Sequence, residues 1–503
     1  MSGFLGIPPA VLTDSYKPTH AFLYPDSIKS VAYGEFRCGY NGDKEDTRLL
    51  FYGIRYIIDN YISVKWTLQD VELAEKFYET HNAGYKKFPF PKDLILKFIK
   101  ENNGYFPVKI EALPEGTACH VHTPVYQITA ENEYAVLITF LETLITMSWY
   151  PTTVATLSRR ARDVVEQAYN DTVDEDGYWS LENRLHDFGF RGCTSIEQSV
   201  IGGSAHLINF TGSDTMSAGY YIQFKLNNGK PVASSIPATE HSVMTAHKTE
   251  KDAILRMIDK FGSGVFACVM DSFDYVNALN NIIPSIAAQK LEKGGFMVLR
   301  PDSGDQVEVV MMALRAADKV FGSTVNKKGY KLINGCSVIQ GDAVTIESMK
   351  KILNAAKEAG YSAQNIAFGM GAGLLQKLNR DTMSFATKLC HITYADGTQR
   401  DIMKSPKTES SKISLPGEFV VKRNEHGVPI VYPKEICAEN DPENLLRVVY
   451  DHGKVIEWDD FDTIRERAAK EWSCLPHCYD NISPELQTKI AKCIQEIKSR
   501  LEK

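Results

Sequence analysis

Between residues 177 and 389, short apolar runs end in polar turns and are followed by amphipathic stretches. The run ends are Leu185-His186-Asp187, Gly212-Ser213-Asp214, Ala238-Thr239-Glu240-His241 and Cys268-Val269-Met270-Asp271. Three more follow: Met297 to Asp302, Val338 to Asp342, and Ala367 to Gly371. Apolar residues at helical spacing fill 273–293, 307–319 and 346–359 between several of them. Strand, polar turn and helix in this rhythm predict a parallel α/β array. Right-handed crossovers put all strand C-termini on one rim, where a barrel carries its chemistry. The flanks read differently. Residues 1–176 mix extended segments (30–37, 108–112) with helical ones (68–80, 93–102), and the acidic run 171–176 reads as a linker. Residues 390–503 return to mixed α+β, with a turn at Ala395-Asp396-Gly397, a Lys/Ser/Pro-rich loop at 404–416 and a polar C-terminal helix. The expected parts are therefore an N-terminal α+β part (1–176), an α/β barrel core (177–389) and a C-terminal α+β part (390–503) packing with the first.

Composition narrows the classes. A chain of 503 residues can bury a large core without disulfide or metal staples. With 56 Lys+Arg against 63 Asp+Glu, its net charge of −7 argues against a general nucleic-acid binder. A local basic pocket remains open. The longest apolar stretch, 135–150, carries Glu142 and several threonines and reads as a buried helix rather than a membrane span. No signal pattern opens the chain, and the ten cysteines lack paired spacing, so a cytoplasmic protein with reduced thiols and no membrane partner is expected. Cys474, His477 and Cys478 come nearest to a metal motif but lack a second ligand pair, and His120 and His122 share only a strand face. No phosphate-binding GxxxxGK[ST] loop occurs.

The rim carries the chemistry. Asp187, Asp214, Glu240, His241, Asp271, Arg300, Asp302 and Asp342 would converge there. Each alone could be a turn or helix-cap residue; together they crowd one mouth with charge. Carboxylates so placed need a cation or hydroxyl donors, and hard oxygens favour Mg²⁺ shared with substrate phosphate. Arginines supply forks for phosphate, and Gly341, Gly369 and Gly371 let backbone N–H groups approach an anion. The glycine turn 369–373, running into a helix, reads as an anion site, although it lacks the GxGxxG spacing. Arg380 and Lys388 follow closely and could finish a phosphate pocket. Phe188, beside Arg191 in HDFGFRG, could stack on a flat heterocycle. A phosphorylated sugar bound with Mg²⁺ is the ligand class these residues suggest.

HDFGFRG (186–192), IGGSAHLINFTGSDT (201–215), PATEHSV (237–243), RPDSGD (300–305), VIQGD (338–342) and NIAFGMGAGLLQKLNRD (365–381) closely resemble the nicotinamide phosphoribosyltransferase family of type II phosphoribosyltransferases. TDSYKPTH (13–20), GEFR (34–37) and SWYPTTVATLSR (148–159) match it too. The resemblance implies an incomplete α/β barrel with flanking α+β and β-rich parts. It implies transfer of phosphoribosyl from 5-phosphoribosyl-1-diphosphate to nicotinamide with Mg²⁺, in a homodimer with sites at the interface. It implies that Phe188 and the partner subunit's counterpart of Tyr16 sandwich the ring, and that Asp214 accepts from the carboxamide. Arg191 and Arg300 resemble nicotinamide- and phosphoribosyl-side contacts, Asp302 a ribose ligand, and Asp271 a group near ribose and metal. Gly341 and Asp342 resemble flanks of the sugar phosphate. Gly371, Arg380 and Lys388 resemble a 5′-phosphate cradle. Arg37, Lys404 and Lys412 resemble diphosphate-side cations, Arg37 from the other subunit. His241 matches the histidine that some members phosphorylate with ATP, and no direct metal ligand is assigned. Ala372 replaces a family glycine and Ala386 a phosphate-binding serine, so fewer 5′-phosphate contacts are expected.

Two other readings compete. A nicotinate phosphoribosyltransferase would set a substrate carboxylate against Asp214, a like-charge clash. A non-catalytic phosphosugar-binding protein would not need His241, Asp271, Arg300 and Asp302 together.

Overall fold

Five of the seven apolar runs form one all-parallel sheet, ordered Leu185–Asp187, Ile366–Met370, Cys336–Gln340, Phe296–Arg300 and Val265–Val269. The coordinates, a computed structural model, describe residues 4–405 and 413–501. The runs ending at Asp214 and His241 do not become strands, contrary to the rhythm. They contribute single parallel bridges: Asp187 to Ser213, Gly212 to Ser234 and Ala238 to Ala267. Gly212, Ser213 and the donor-less Pro237 are poor ladder residues, which accounts for the difference. The result is an irregular, incomplete α/β barrel. Its inner layer is Ala267, Val298, Ile339 and Ala367, with Phe188, Ile236 and Phe296 packed against it.

Helices Gln306–Phe321 and Ile346–Glu358 follow their strands as expected. Asp305 caps the first by accepting from the N–H groups of Val307 and Glu308, and Thr345 caps the second through Ser348. Val309, Val310, Ala313, Leu314 and Ala317 give the first helix its buried face. The segment 273–293 is not one regular helix. Tyr275–Asn277 widens through Ala278–Ile282 before Ile283–Lys293. Pro284 has no N–H for the carbonyl of Asn280, and the widened turn lies there. The acidic run 171–176 is tied down rather than free. Asp171 pairs with Lys357 at 2.8 Å, and Asp174 accepts from the Lys327 N–H at 3.0 Å.

All of this belongs to one compact unit, Leu157–Leu378; the second is Met1–Thr156 with Asn379–Lys503. The second is built on a seven-stranded antiparallel sheet. Strand Ser27–Glu35 pairs with Ala386–Tyr394 on one side and Tyr126–Glu131 on the other, with Gly34 opposite Thr387 and Tyr126. N- and C-terminal parts of the chain thereby share one sheet. The apolar stretch 135–150 is largely buried, apart from Met147, but not as one helix. It breaks into the turns Asn132–Leu137, Glu142–Ile145 and Thr146–Ser148 before helix Trp149–Thr172. The Thr13 hydroxyl donates to the Phe140 carbonyl at 2.8 Å, occupying a group that a continuous helix would use. Among the described residues no helix is long and apolar enough to cross a membrane.

Candidate active site

The barrel unit holds a cavity of about 610 Å³. Phe188, Phe190, Arg191, Asp214 and Thr215 line one part, and Arg300, Asp302, Gly341, Asp342 and Gly371 another. The parallel register explains this gathering, because each residue lies at or just beyond the C-terminal end of a strand or bridge. Phe188 extends the first strand, its N–H donating to the Met370 carbonyl at 3.0 Å.

Two of the rim glycines leave room for the ring. A Cβ on Gly369 would lie 1.9 Å from Phe188 Cε2, and one on Gly341 would lie 3.2 Å from it. Gly369→Ala is expected to lower stability by about 1–3 kcal/mol through overpacking. In a Phe188→Ala background the same substitution should cost much less, as read by urea unfolding of all four members of the cycle; an equal loss in both backgrounds would show that the ring is not the obstacle. The expected helix after the glycine turn is one turn long, Ala372–Leu375. The Lys377 N–H returns to the Ala372 carbonyl at 2.8 Å and ends it. Gly371 therefore lines the cavity without a helix dipole behind it.

Three of the rim acids are held in distinct ways. Asp214 is exposed, and its Oδ1 accepts from the Ser235 hydroxyl at 2.5 Å. Asp187 is fully buried and does not face the cavity as the rim pattern predicts. Its Oδ1 accepts from the Gly189 N–H at 2.7 Å, bracing the Phe188 turn. Burial pushes its carboxyl up to about 6, against the opposing hydrogen bond of Gly189. Asp342 is exposed; its carbonyl accepts from Gln306 Nε2 at 2.8 Å, and Ala343 beyond it is held at φ +48°. Such backbone strain is common where a loop is shaped for a ligand.

Most of the remaining rim residues gather around Asp302. Strands Val265–Val269 and Phe296–Arg300 are neighbours, with Val269 opposite Arg300, so Asp271 and Asp302 emerge side by side. Asp271 Oδ2 accepts from the Asp302 N–H at 3.2 Å and from the Ser303 hydroxyl. Its side chain is 5% exposed, and Oδ1 has no partner. His241 Nε2 lies 3.4 Å from Asp302 Oδ2 and 3.9 Å from Asp271 Oδ1, while Nδ1 lies 3.1 Å from Ser272 Oγ. Arg300 Nη2 is 3.8 Å from Asp302 Oδ2. Asp302 thus belongs both to the cavity and to the His241 group. Glu240 stands apart, exposed, with the Ser242 hydroxyl donating to it.

The second unit carries its own polar cavity, of about 290 Å³. Arg37, Arg380, Lys388 and Lys404 line it, with Cys38, Glu142 and Ser384. Strand pairing brings them together, since Arg37 follows the strand opposite Ala386 and Lys388. Arg37 Nε donates to the buried Glu35 at 2.9 Å, whereas its buried Nη2 has no partner. Lys388 Nζ donates to the Thr387 carbonyl at 2.8 Å. Burial lowers its pKa; Glu142 opposes this, and Arg37 and Lys404 reinforce it. Four cations around a small polar space suit an anion with several oxygens. Arg380 and Lys388 line this cavity, and Gly371 lines the one in the barrel unit. Ser384, at φ +51°, supplies a hydroxyl near the expected serine position held by Ala386. Tyr16 is 55% exposed and lines neither cavity. Lys412 lies outside the described residues.

The sequence reading missed Phe190, Thr215, Ser235, Ser272 and Ser303. Phe190 and Thr215 sit inside the quoted motifs, and Ser272 and Ser303 directly follow the acids Asp271 and Asp302. Ser235 offered no signal, since its role depends on the bridge at Ser234. Of the weak metal candidates, His120 meets Thr47 at 2.8 Å, His122 meets Glu35 at 3.3 Å, and His477 meets Asp46 at 3.1 Å. Among the described residues no group of three or more His, Cys, Asp or Glu is placed to hold a metal ion by itself.

The model of the nicotinate phosphoribosyltransferase family matches residues 183–454, more than half of the chain. The model of the nicotinamide phosphoribosyltransferase N-terminal domain matches residues 9–110. The chain belongs to this family. A nicotinamide phosphoribosyltransferase of Xanthomonas campestris is 35% identical over 460 residues, covering 89% of this chain and 95% of its own length. One of Mycoplasma genitalium is 31% identical, covering 82% and 95%. Among solved structures, human nicotinic acid phosphoribosyltransferase superposes with a TM-score of 0.64 at 17% identity, over 96% of this chain and all of that one. Nicotinate-nucleotide pyrophosphorylase of Pyrococcus furiosus gives 0.62 at 16% identity, over 94% and 97%. The structural neighbours share the fold, an irregular type II phosphoribosyltransferase barrel.

Proposed function

We propose that the chain transfers the phosphoribosyl group of 5-phosphoribosyl-1-diphosphate to nicotinamide, giving nicotinamide mononucleotide and diphosphate in NAD salvage. The observation that carries this reading is one cavity pairing an aromatic face, Phe188, with an exposed acid, Asp214, beside the sugar-suited Arg300, Asp302 and Asp342. Phe188 stacks on the pyridine ring, and Asp214, oriented by Ser235, accepts from the carboxamide NH₂. Arg191 contacts the same ring side. Asp302 accepts from ribose hydroxyls, while Gly341 and Asp342 border the sugar phosphate. The ring nitrogen is held against C1, so catalysis is mainly positioning. As the C1–O bond lengthens, Asp271 and Asp302 lie near the developing positive charge.

A Mg²⁺ fits this group of residues. Asp271 offers an unpartnered hard oxygen next to Asp302, and a site with so few protein ligands suits an ion that keeps water and substrate oxygens. When bound, Mg²⁺ would supply charge to the departing diphosphate.

The working form in this reading is a homodimer. Tyr16 from the partner subunit closes the other face of the ring. Because Arg37, Arg380, Lys388 and Lys404 share one cavity, the subunit that lends Arg37 lends all four to the phosphates. Ten free cysteines agree with a cytoplasmic location.

His241 is the phosphoacceptor for ATP in this reading, which couples ATP hydrolysis to product formation. Adding ATP should raise nicotinamide mononucleotide yield, and His241→Ala should abolish that rise and weaken the basal reaction. Product chromatography with and without ATP tests it; stimulation that survives His241→Ala removes the role. The reaction itself is tested by diphosphate release that requires both Mg²⁺ and nicotinamide.

A further inference from the structure

Cys38 is partly exposed and lines the cationic cavity next to Arg37, Arg380, Lys388 and Lys404. Its sulfur makes one weak contact, to the Thr382 carbonyl at 3.9 Å. The reaction proposed above has no use for it. A second observation points to what this cavity takes. The Arg37 side chain is 9% exposed, and its buried Nη2 lacks a hydrogen-bond partner. An uncompensated buried guanidinium N–H is costly, and an anion is the partner that satisfies it.

We infer that Cys38 is a modification site for an anionic low-molecular-weight disulfide of the glutathione class. The Cys38 sulfur, as thiolate, attacks one sulfur of the reagent. The reagent's S–S bond breaks, a Cys38–S–S–R bond forms, and the electron pair leaves on the second sulfur as R–S⁻. The Cys38 proton goes to solvent, and a dithiol reverses the exchange. The four cations outnumber the two acids that line the same cavity, Glu142 and Asp381, so they raise the local concentration of a carboxylate-bearing reagent and repel a cationic one. The bound adduct puts its carboxylates where phosphate oxygens would sit, so adduct and diphosphate exclude one another. Oxidation would in this way close the phosphate side of the protein reversibly.

The experiment uses the full chain and three disulfides: oxidised glutathione (anionic), hydroxyethyl disulfide (neutral) and cystamine (cationic). Peptide mass mapping follows Cys38, with the exposed Cys474 as internal reference. The Cys38-to-Cys474 rate ratio should be at least about tenfold higher with oxidised glutathione than with cystamine, and should fall as salt rises. Arg380→Gln and Lys404→Gln, both at exposed positions, should slow glutathionylation of Cys38 more than its reaction with hydroxyethyl disulfide. Inorganic diphosphate should protect Cys38, and Cys38→Ser should remove that mass shift alone. Equal ratios with all three reagents, or a Cys38 that none of them modifies, would overturn the proposal. The readout is mass rather than turnover, so it stands or falls separately from the nicotinamide reaction.

Discussion

Nicotinamide should be used at least about 100-fold better than nicotinate in kcat/KM, a difference of about 2.8 kcal/mol in transition-state binding. The two substrates differ in one group, a neutral carboxamide against a carboxylate. Asp214 is exposed to the cavity, with one oxygen held by Ser235 and the other left to accept from a carboxamide NH₂. A carboxylate there meets like charge and offers no proton. Arg191 lines the same cavity and pulls the other way, so the preference measures the balance of the two. Asp214→Asn keeps the shape and removes the charge, and it should shrink the preference by at least about tenfold. Ser235→Ala should shrink it less, because it frees the carboxylate to rotate without neutralising it. Parallel kinetics with both substrates decide this, and equal use by the unmutated protein would sink the assignment.

Tyr16→Ala and His241→Ala homodimers should each lose most activity, while unfolding and refolding them together should restore roughly a quarter of the wild-type value. The quarter follows from the proposed arrangement, in which each site draws Tyr16 from one subunit and His241 from the other. Random equal mixing makes half of the dimers mixed, and each mixed dimer has one site lacking both groups and one site intact. Tyr16 is a fold-neutral probe, since its ring is largely exposed; His241 is half-exposed and caps no core. Dimer-phase activity no greater than the average of the two variants would show that Tyr16 acts within its own subunit or not at all.

The strand–turn–helix rhythm of residues 177–389 was legible because burial on both faces forces continuous apolar runs, and five runs became five parallel strands. It failed at Asp214 and His241, where backbone pairing comes down to single bridges that no periodicity reports. It also overstated the stretch 135–150, because a threonine at position 13 takes a carbonyl the helix needed. Local patterns carry no record of such distant partners.

By itself the sequence determined the barrel class and most of the residues that line its cavity, since these follow from strand-end motifs and short-range order. Tertiary structure alone decided how they are grouped. Antiparallel pairing of Ser27–Glu35 with Ala386–Tyr394 brings Arg37 to Lys388 across about 350 residues of chain, which no local propensity encodes. The same holds for Asp187, a rim acid by position but a buried brace by packing, and for Gly369, whose missing side chain is the space Phe188 fills. Such contacts depend on which surfaces meet after folding, and a one-dimensional pattern specifies only which surfaces are available.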